Sequence, residues 1–299
     1  MLLILAGLWG GSFFFAEIVL REVPPLTITL HRVIWAVPVL AAIVWLKGIA
    51  VPRSARVWGA YLVMGALNNA IPFSLIFWGQ TQITSGLAAI LNATSAMFAA
   101  VVAGLLIADE PLTGRKIAGA ALGLGGVAVI IGPGALTAFD PASLAQLAIL
   151  GAALSYAFAG VWAKAALAGQ PPLMNGLGML SGSTLLMVPV VLAIDGPPNL
   201  ALSAGVWGAV LGLASLSTAL AYILYFAILV RAGAANLLLV TLLIPPIAVG
   251  LGVLFLGERM EPQAWAGFAI IALGFAVTDG RLMSRFTGKP RSGAGIGRP

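Results

Sequence analysis

Ten stretches of this chain stay apolar for about the length of a bilayer crossing, and that leaves little choice of fold. They lie at roughly 2–20, 26–46, 57–79, 84–107, 113–132, 144–168, 173–194, 204–230, 233–256 and 262–279. About 20 consecutive apolar residues span a hydrocarbon core as a helix. The runs are continuous and rich in Leu, Ala and Gly, without the alternation of a membrane barrel. Only 8% of the residues are charged, against roughly 25% in soluble domains. A soluble fold would have almost nothing polar for its surface. The prediction is an all-α polytopic membrane protein with ten transmembrane helices. The first run lacks a small-residue cleavage site before polar sequence, so it reads as the first spanning helix.

The loops predict orientation. With a cytoplasmic N-terminus, the inner side holds Lys47, Arg53, Arg56, Arg115, Lys116, Lys164, Arg231, Arg281, Arg285, Lys289, Arg291 and Arg298. The outer side holds Arg21 and Arg259, and Arg32 lies inside the second helix. Basic residues stay cytoplasmic, so both termini are expected there. The net charge of +6 therefore speaks of membrane orientation and not of nucleic acid. Residues 281–299 are basic and rich in Gly, Pro and Ser, and read as a disordered cytoplasmic tail.

The chain also writes parts of itself twice. Trp58-Gly59-Ala60 returns as Trp207-Gly208-Ala209, and at the same offset of 149 Leu67 falls on Leu216, Ala70 on Ala219 and Phe77 on Phe226. Pro24-Pro25-Leu26 returns as Pro171-Pro172-Leu173, Val37-Pro38-Val39 as Val188-Pro189-Val190, and Glu110 as Glu258. The expected division is a first five-helix repeat at 1–135 and a second at 136–280. Five is odd, so the second repeat enters the membrane inverted. Inverted repeats around a midplane site are a transporter architecture, in which the halves exchange conformations.

Polar residues inside apolar helices are costly unless they face protein or a water-filled cavity. Asn68 and Asn69 sit mid-way along the third run, and Ser217 and Thr218 in the eighth. Asn92 and Thr241 match at the same offset, Trp9 and Tyr156 at 147, and Tyr222 follows on the eighth run. Together these nine are the candidate lining of a largely apolar, nearly charge-free midplane cavity. The competing reading is that they bond neighbouring helices or fill space. Glu17 and Arg32 read as an ion pair at an outer gate, with His31 beside them. Pro38, Pro189, Pro245 and Pro246 interrupt membrane helices and are the hinge candidates. Gly119/Gly123, Gly178/Gly182 and Gly208/Gly212 have the spacing that lets helices approach closely.

No cysteine and a single histidine leave no basis for a disulfide or a metal site, and no cofactor is expected. There is no Gly-x-Ser-x-Gly, His-Glu-x-x-His or Walker-type loop, so an enzyme is not expected and any pumping is secondary. A lipid-modifying enzyme would have only Glu17, His31 and Arg32 to work with. A structural membrane protein without flux is the remaining rival. The packing glycines serve contacts within and between chains equally, so a monomer suffices and the oligomeric state stays open.

Leu8-Trp9-Gly10-Gly11-Ser12, Arg32 in the second helix and two Glu-terminated runs resemble the drug/metabolite transporter superfamily. Those runs are Leu105-Leu106-Ile107-Ala108-Asp109-Glu110, and Pro245-Pro246 through Leu256-Gly257-Glu258. More narrowly the chain resembles the EamA-type exporters, and within them the bacterial YddG-like exporters of aromatic amino acids. The resemblance covers nearly everything up to about residue 280, except that the first half lacks a mid-helix proline before Glu110. It implies export of amino acids or similar small metabolites, drugs included, across a bacterial inner membrane, often with broad specificity.

Overall fold

The computed structural model describes residues 1–131, 141–237 and 240–279. The expected repeat boundary at 135/136 and the tail at 281–299 lie outside the described residues. Within them the chain forms ten helical rods: α1 Leu2–Val19, α2 Pro25–Leu46, α3 Ala55–Gln80, α4 Ser85–Leu106, α5 Gly114–Ile131, α6 Pro141–Ala166, α7 Pro172–Ile194, α8 204–237, α9 Val240–Leu256 and α10 Pro262–Asp279. Seven are long and apolar enough to cross a membrane, and α9 and α10 are shorter apolar helices. Large apolar side chains such as Trp45 (78% exposed) and Leu254 (77%) cover the outside of the bundle. The chain is thus an all-α polytopic membrane protein.

Local chemistry sets the ends of the rods. Proline opens α2, α6, α7 and α10 at the first helical position, where its missing N–H costs nothing. Thr84 and Ser203 open α4 and α8 by accepting the Leu87 and Val206 amides, each at 3.3 Å. α9 ends at Gly257, whose φ of +69° needs the freedom of glycine. One boundary differs from expectation. A loop was expected between 230 and 233, but α8 continues to Leu237 and carries Arg231 on a helix. The segment has no proline and is rich in Ala, so nothing stops the helix there.

The interruptions also follow the sequence only in part. α2 breaks at Trp35. Pro38 follows one turn later and can neither donate to the Ile34 carbonyl nor pack against it. α7 runs unbroken through Pro189, and α9 stays α-helical across Pro245 and Pro246 up to Leu251. α4 breaks at Ala93–Thr94 without any proline, and the Thr94 hydroxyl bonds the Leu91 carbonyl at 2.7 Å there. A local side-chain bond to the backbone competes with the helical ladder.

The main contacts between the two halves come in exchanged pairs. α3 packs on α6 as α8 does on α1, α4 on α6 as α9 on α1, and α3 on α7 as α8 on α2. α5 lies against α10 along facing glycines: a methyl at Gly126 would come within 2.7 Å of the Gly267 carbonyl, and one at Gly274 within 2.6 Å of that of Gly119. Gly65 and Gly182 bring α3 and α7 together in the same way. Such contacts need small residues, because lipid tails are as apolar as the helices and only close packing favours protein over lipid.

Side chains also tie the rods at both ends. At one end Lys164 meets Glu110 at 2.9 Å and Arg231 reaches Met1. At the other, Asp195 accepts from the Thr27 amide and hydroxyl, Glu22 from the Ser203 amide, and Glu258 from the Ser85 and Gly86 amides. The first end carries the chain's basic loops and the second is the more acidic.

Candidate functional site

The two polar stretches that match across the duplication share an unusual backbone. Ala66–Ala70 in α3 and Gly212–Leu220 in α8 are π-helical. A π-turn widens the helix by one residue and frees a carbonyl, and such turns are frequent at functional sites. The freed groups find partners: the Ser155 hydroxyl donates to the Leu67 carbonyl at 2.7 Å, and the Thr218 hydroxyl to the Leu213 carbonyl at 2.8 Å.

The first stretch closes on itself and its neighbours. Asn68 Nδ2 donates to Asn69 Oδ1 and to the Tyr222 hydroxyl, both at 3.2 Å. Tyr222 donates to Asn69 Oδ1 at 2.8 Å, and Asn69 Nδ2 donates to Ser183 Oγ at 2.9 Å. Ser183 passes the bond on to the Gly65 and Met179 carbonyls. Asn69 is completely buried. Three of the expected residues therefore meet, with Ser183 and Met179 of α7 as partners the sequence reading missed. The signal was there in Ser181-Gly182-Ser183-Thr184, small polar residues in mid-helix.

The second stretch binds a charge. Arg32 Nε donates to Thr218 Oγ1 at 3.0 Å, and Arg32 Cζ lies 3.8 Å from the centre of the Phe73 ring. Phe77 is 5.8 Å away on the same side chain, and the Tyr156 and Tyr222 hydroxyls are within electrostatic range. The expected pair of Arg32 with Glu17 does not form. Among the described residues the only ion pair is Lys164–Glu110. Glu17 instead accepts from Gln80 Nε2 at 3.4 Å, because α1 presents it to α3 while Arg32 extends toward α8. Among the described residues neither Nη atom of Arg32 has a hydrogen-bond partner, and the residue is only 6% exposed. The expectation of a nearly charge-free centre is corrected accordingly. An arginine at membrane depth costs about 2.5–3.5 kcal/mol on insertion scales. One hydrogen bond and a ring face offset that cost, but no carboxylate pairs with the charge among the described residues.

The other expected residues surround these two clusters. Trp9 stacks on Tyr225 with ring centres 5.8 Å apart. Asn92 and Ser217 each hold a buried oxygen without a partner, and Thr241 is half-buried on α9. His31 is buried, with Nδ1 accepting from Trp35 Nε1 at 3.0 Å, Nε2 unpartnered, and its ring edge-on to Trp207. The expected hinges lie in or beside the rods described above. Among the described residues no group of three His, Cys, Asp or Glu is placed to hold a metal.

The comparisons agree with this architecture. Residues 1–132 and 143–278 match the EamA-like transporter family. An uncharacterized transporter of Archaeoglobus fulgidus is 25% identical over 92% of this chain and 94% of its own length. The protein PecM of Dickeya dadantii is 27% identical over 93% and 91%. A probable terminal-alkyne amino-acid exporter of Streptantibioticus cattleyicolor is 25% identical over 93% and 91%. One crystal structure superposes with a TM-score of 0.68 at 19% identity, over 95% of this chain and 97% of the other, which speaks for the fold alone. With ten packed helices, seven of them long and apolar enough to cross a membrane, and a family match over nearly its whole length, the chain belongs to the EamA-like transporter family.

Proposed function

We propose that this transporter exports amino acids, and that Arg32 holds the substrate carboxylate. The observation that carries the reading is the buried guanidinium, bonded by Thr218 on one edge and left with two unpaired Nη atoms. Two parallel N–H groups match a carboxylate in a bidentate geometry. One positive charge suits a monoanionic carboxylate, whereas a phosphorylated solute would call for more. Phe73, Phe77, Trp9, Tyr156 and Tyr222 supply an apolar and aromatic surround for a side chain, which supports a broad preference with aromatic amino acids included. The relative in Streptantibioticus cattleyicolor, a probable exporter of a terminal-alkyne amino acid, supports the same class.

Transport would follow from the two halves. The exchanged helix contacts, the two matched π-turns and the two stretches of the family match support an inverted pair of five-helix repeats. Their exchange opens the centre first to one side and then to the other. The described conformation is closed at the middle, with Asn69, Ser217, Thr218 and Tyr222 buried. The concentration of basic loops at the end holding the N-terminus supports a cytoplasmic orientation of that end in a bacterial inner membrane. Asn68, Asn92, Thr241 and the remaining matched residues then line the opened path.

The test is counterflow of labelled phenylalanine in proteoliposomes, with phenylalanine, phenylalaninamide and N-acetylphenylalanine as competitors. The expected order is strong competition by the two acids and at least tenfold weaker competition by the amide. An amide that competes as well as the acid removes Arg32 from the site. No flux of any amino acid through folded protein moves the assignment to drugs or other metabolites.

A further inference from the structure

A second site lies away from the midplane, at the more acidic end of the bundle. A cavity of about 450 Å³ opens there between α1, α3, α6 and the turn from α9 to α10. Glu17, Glu258, Glu261 and Arg259 supply its charged lining, Gln80, Gln82 and Gln146 its amides, and Ile83, Leu87 and Met260 apolar walls. The three carboxylates outnumber the one guanidinium. Both Glu258 oxygens are already engaged by the Ser85 and Gly86 amides, at 2.8 and 3.2 Å. Glu17 has only the long bond from Gln80 Nε2, at 3.4 Å.

The amides are the informative part. Gln80 is 3% exposed and its Nε2 is committed to the Phe13 carbonyl at 2.9 Å as well as to Glu17. Its Oε1 is buried and has no donor. Gln146, 9% exposed, likewise lines the cavity with a buried, unpartnered Oε1. A buried acceptor without a donor costs about 1–3 kcal/mol; both oxygens lie behind the cavity wall, closed to a water-sized solute, and turning them inward toward a cation that donates hydrogen bonds beside the under-satisfied carboxylate relieves that cost. An alkali ion would use little of so large a space. A solute with a primary ammonium head and an apolar body matches both the acceptors and the walls.

We propose that this cavity is a binding site for primary ammonium groups, with Glu17 as the counter-ion and the Gln80 and Gln146 carbonyls as further acceptors once these amides turn inward. On the exporter reading it receives the amino end of a solute that has left Arg32. Its occupation by an amine does not depend on that reading.

The experiment is calorimetric titration of 2-phenylethylamine, which has no carboxylate, into the full-length protein in lipid nanodiscs. Glu17→Gln keeps the shape and the Gln80 contact, and is expected to weaken binding at least tenfold; Gln146→Leu is expected to weaken it at least threefold. Thermal unfolding of each variant checks the fold. Phenyltrimethylammonium, which cannot donate, is expected to bind at least tenfold more weakly. N-acetylphenylalanine, which offers a carboxylate but no ammonium, is expected to leave the amine in place. The proposal is overturned if wild type does not bind the amine, or if both folded variants bind it as wild type does. Equal binding of the quaternary compound, displacement by N-acetylphenylalanine, or displacement by millimolar sodium would overturn it as well. Failure of phenylalanine counterflow with these results intact would remove the exporter reading and leave the ammonium site standing.

Discussion

The polar turns of α3 and α8 occupy matched positions in the chain and do opposite things. Asn68 and Asn69 satisfy one another and knit α3 to α7 and α8 through Ser183 and Tyr222. Ser217 and Thr218 cannot do this. A hydroxyl has one proton, and Thr218 spends it on its own backbone at Leu213, which leaves a lone pair for Arg32. An amide carries both donors and acceptors, so the first copy becomes a closed lock. The second copy becomes the seat of a charge that the protein does not neutralise. Both stretches are wide turns at matched chain positions, and the choice of amide or hydroxyl decides which one holds structure and which one keeps a lone pair for the arginine.

The sharpest way to break this contrast is at Arg32. Arg32→Gln is expected to lower saturable phenylalanine flux at least tenfold, measured by counterflow. Arg32→Met is expected to do the same while raising the unfolding temperature in detergent, because it removes an uncompensated charge. A variant that loses stability instead would make Arg32 a structural residue like its opposite number. Next in size is Asn69→Ala. It strands Tyr222 and Ser183, and interhelical bonds in membranes are worth ~0.6 kcal/mol on average and up to about 1.7 kcal/mol. The expected loss is about 1–3 kcal/mol of unfolding free energy, read by thermal or chemical denaturation.

The same comparison works inside the second copy. Thr218→Val removes the bond to Arg32 and is expected to reduce flux several-fold. Ser217→Ala removes a buried hydroxyl that has no partner, and is expected to raise stability by about 1 kcal/mol while leaving flux unchanged. The smallest effect lies outside the middle altogether. The Ser203 hydroxyl and amide hold the exposed Glu22 carboxylate below its ordinary pKa of 4.5. A group depressed in the folded state contributes stability above its unfolded pKa and loses it as pH falls through the folded one. Glu22→Gln should therefore reduce the stability difference between pH 7 and pH 3 slightly, and leave flux at pH 7 unchanged.

Much of this was legible in the chain before folding. The ten spans could be placed because bilayer length and continuous apolarity are one-dimensional properties. The matched residues at an offset of 149 pointed to α3 and α8, where two of the three π-helical stretches among the described residues lie; the third, Gly252–Leu256, ends α9. Asn68, Asn69 and Tyr222 could be grouped because polar atoms in an apolar span must find each other or water. The partner of Arg32 could not be read in this way. Glu17 was the obvious carboxylate along the sequence, yet the rotation of α1 turns it toward Gln80 and a cavity at the bundle's end. Ser183 and Phe73 entered the centre for the same reason. Sequence by itself determined how many helices there are, how long they run and which residues cannot face lipid. Which polar groups meet depended on how each rod is rotated about its axis and how closely glycines let the rods approach, and those are decided only when all ten pack together.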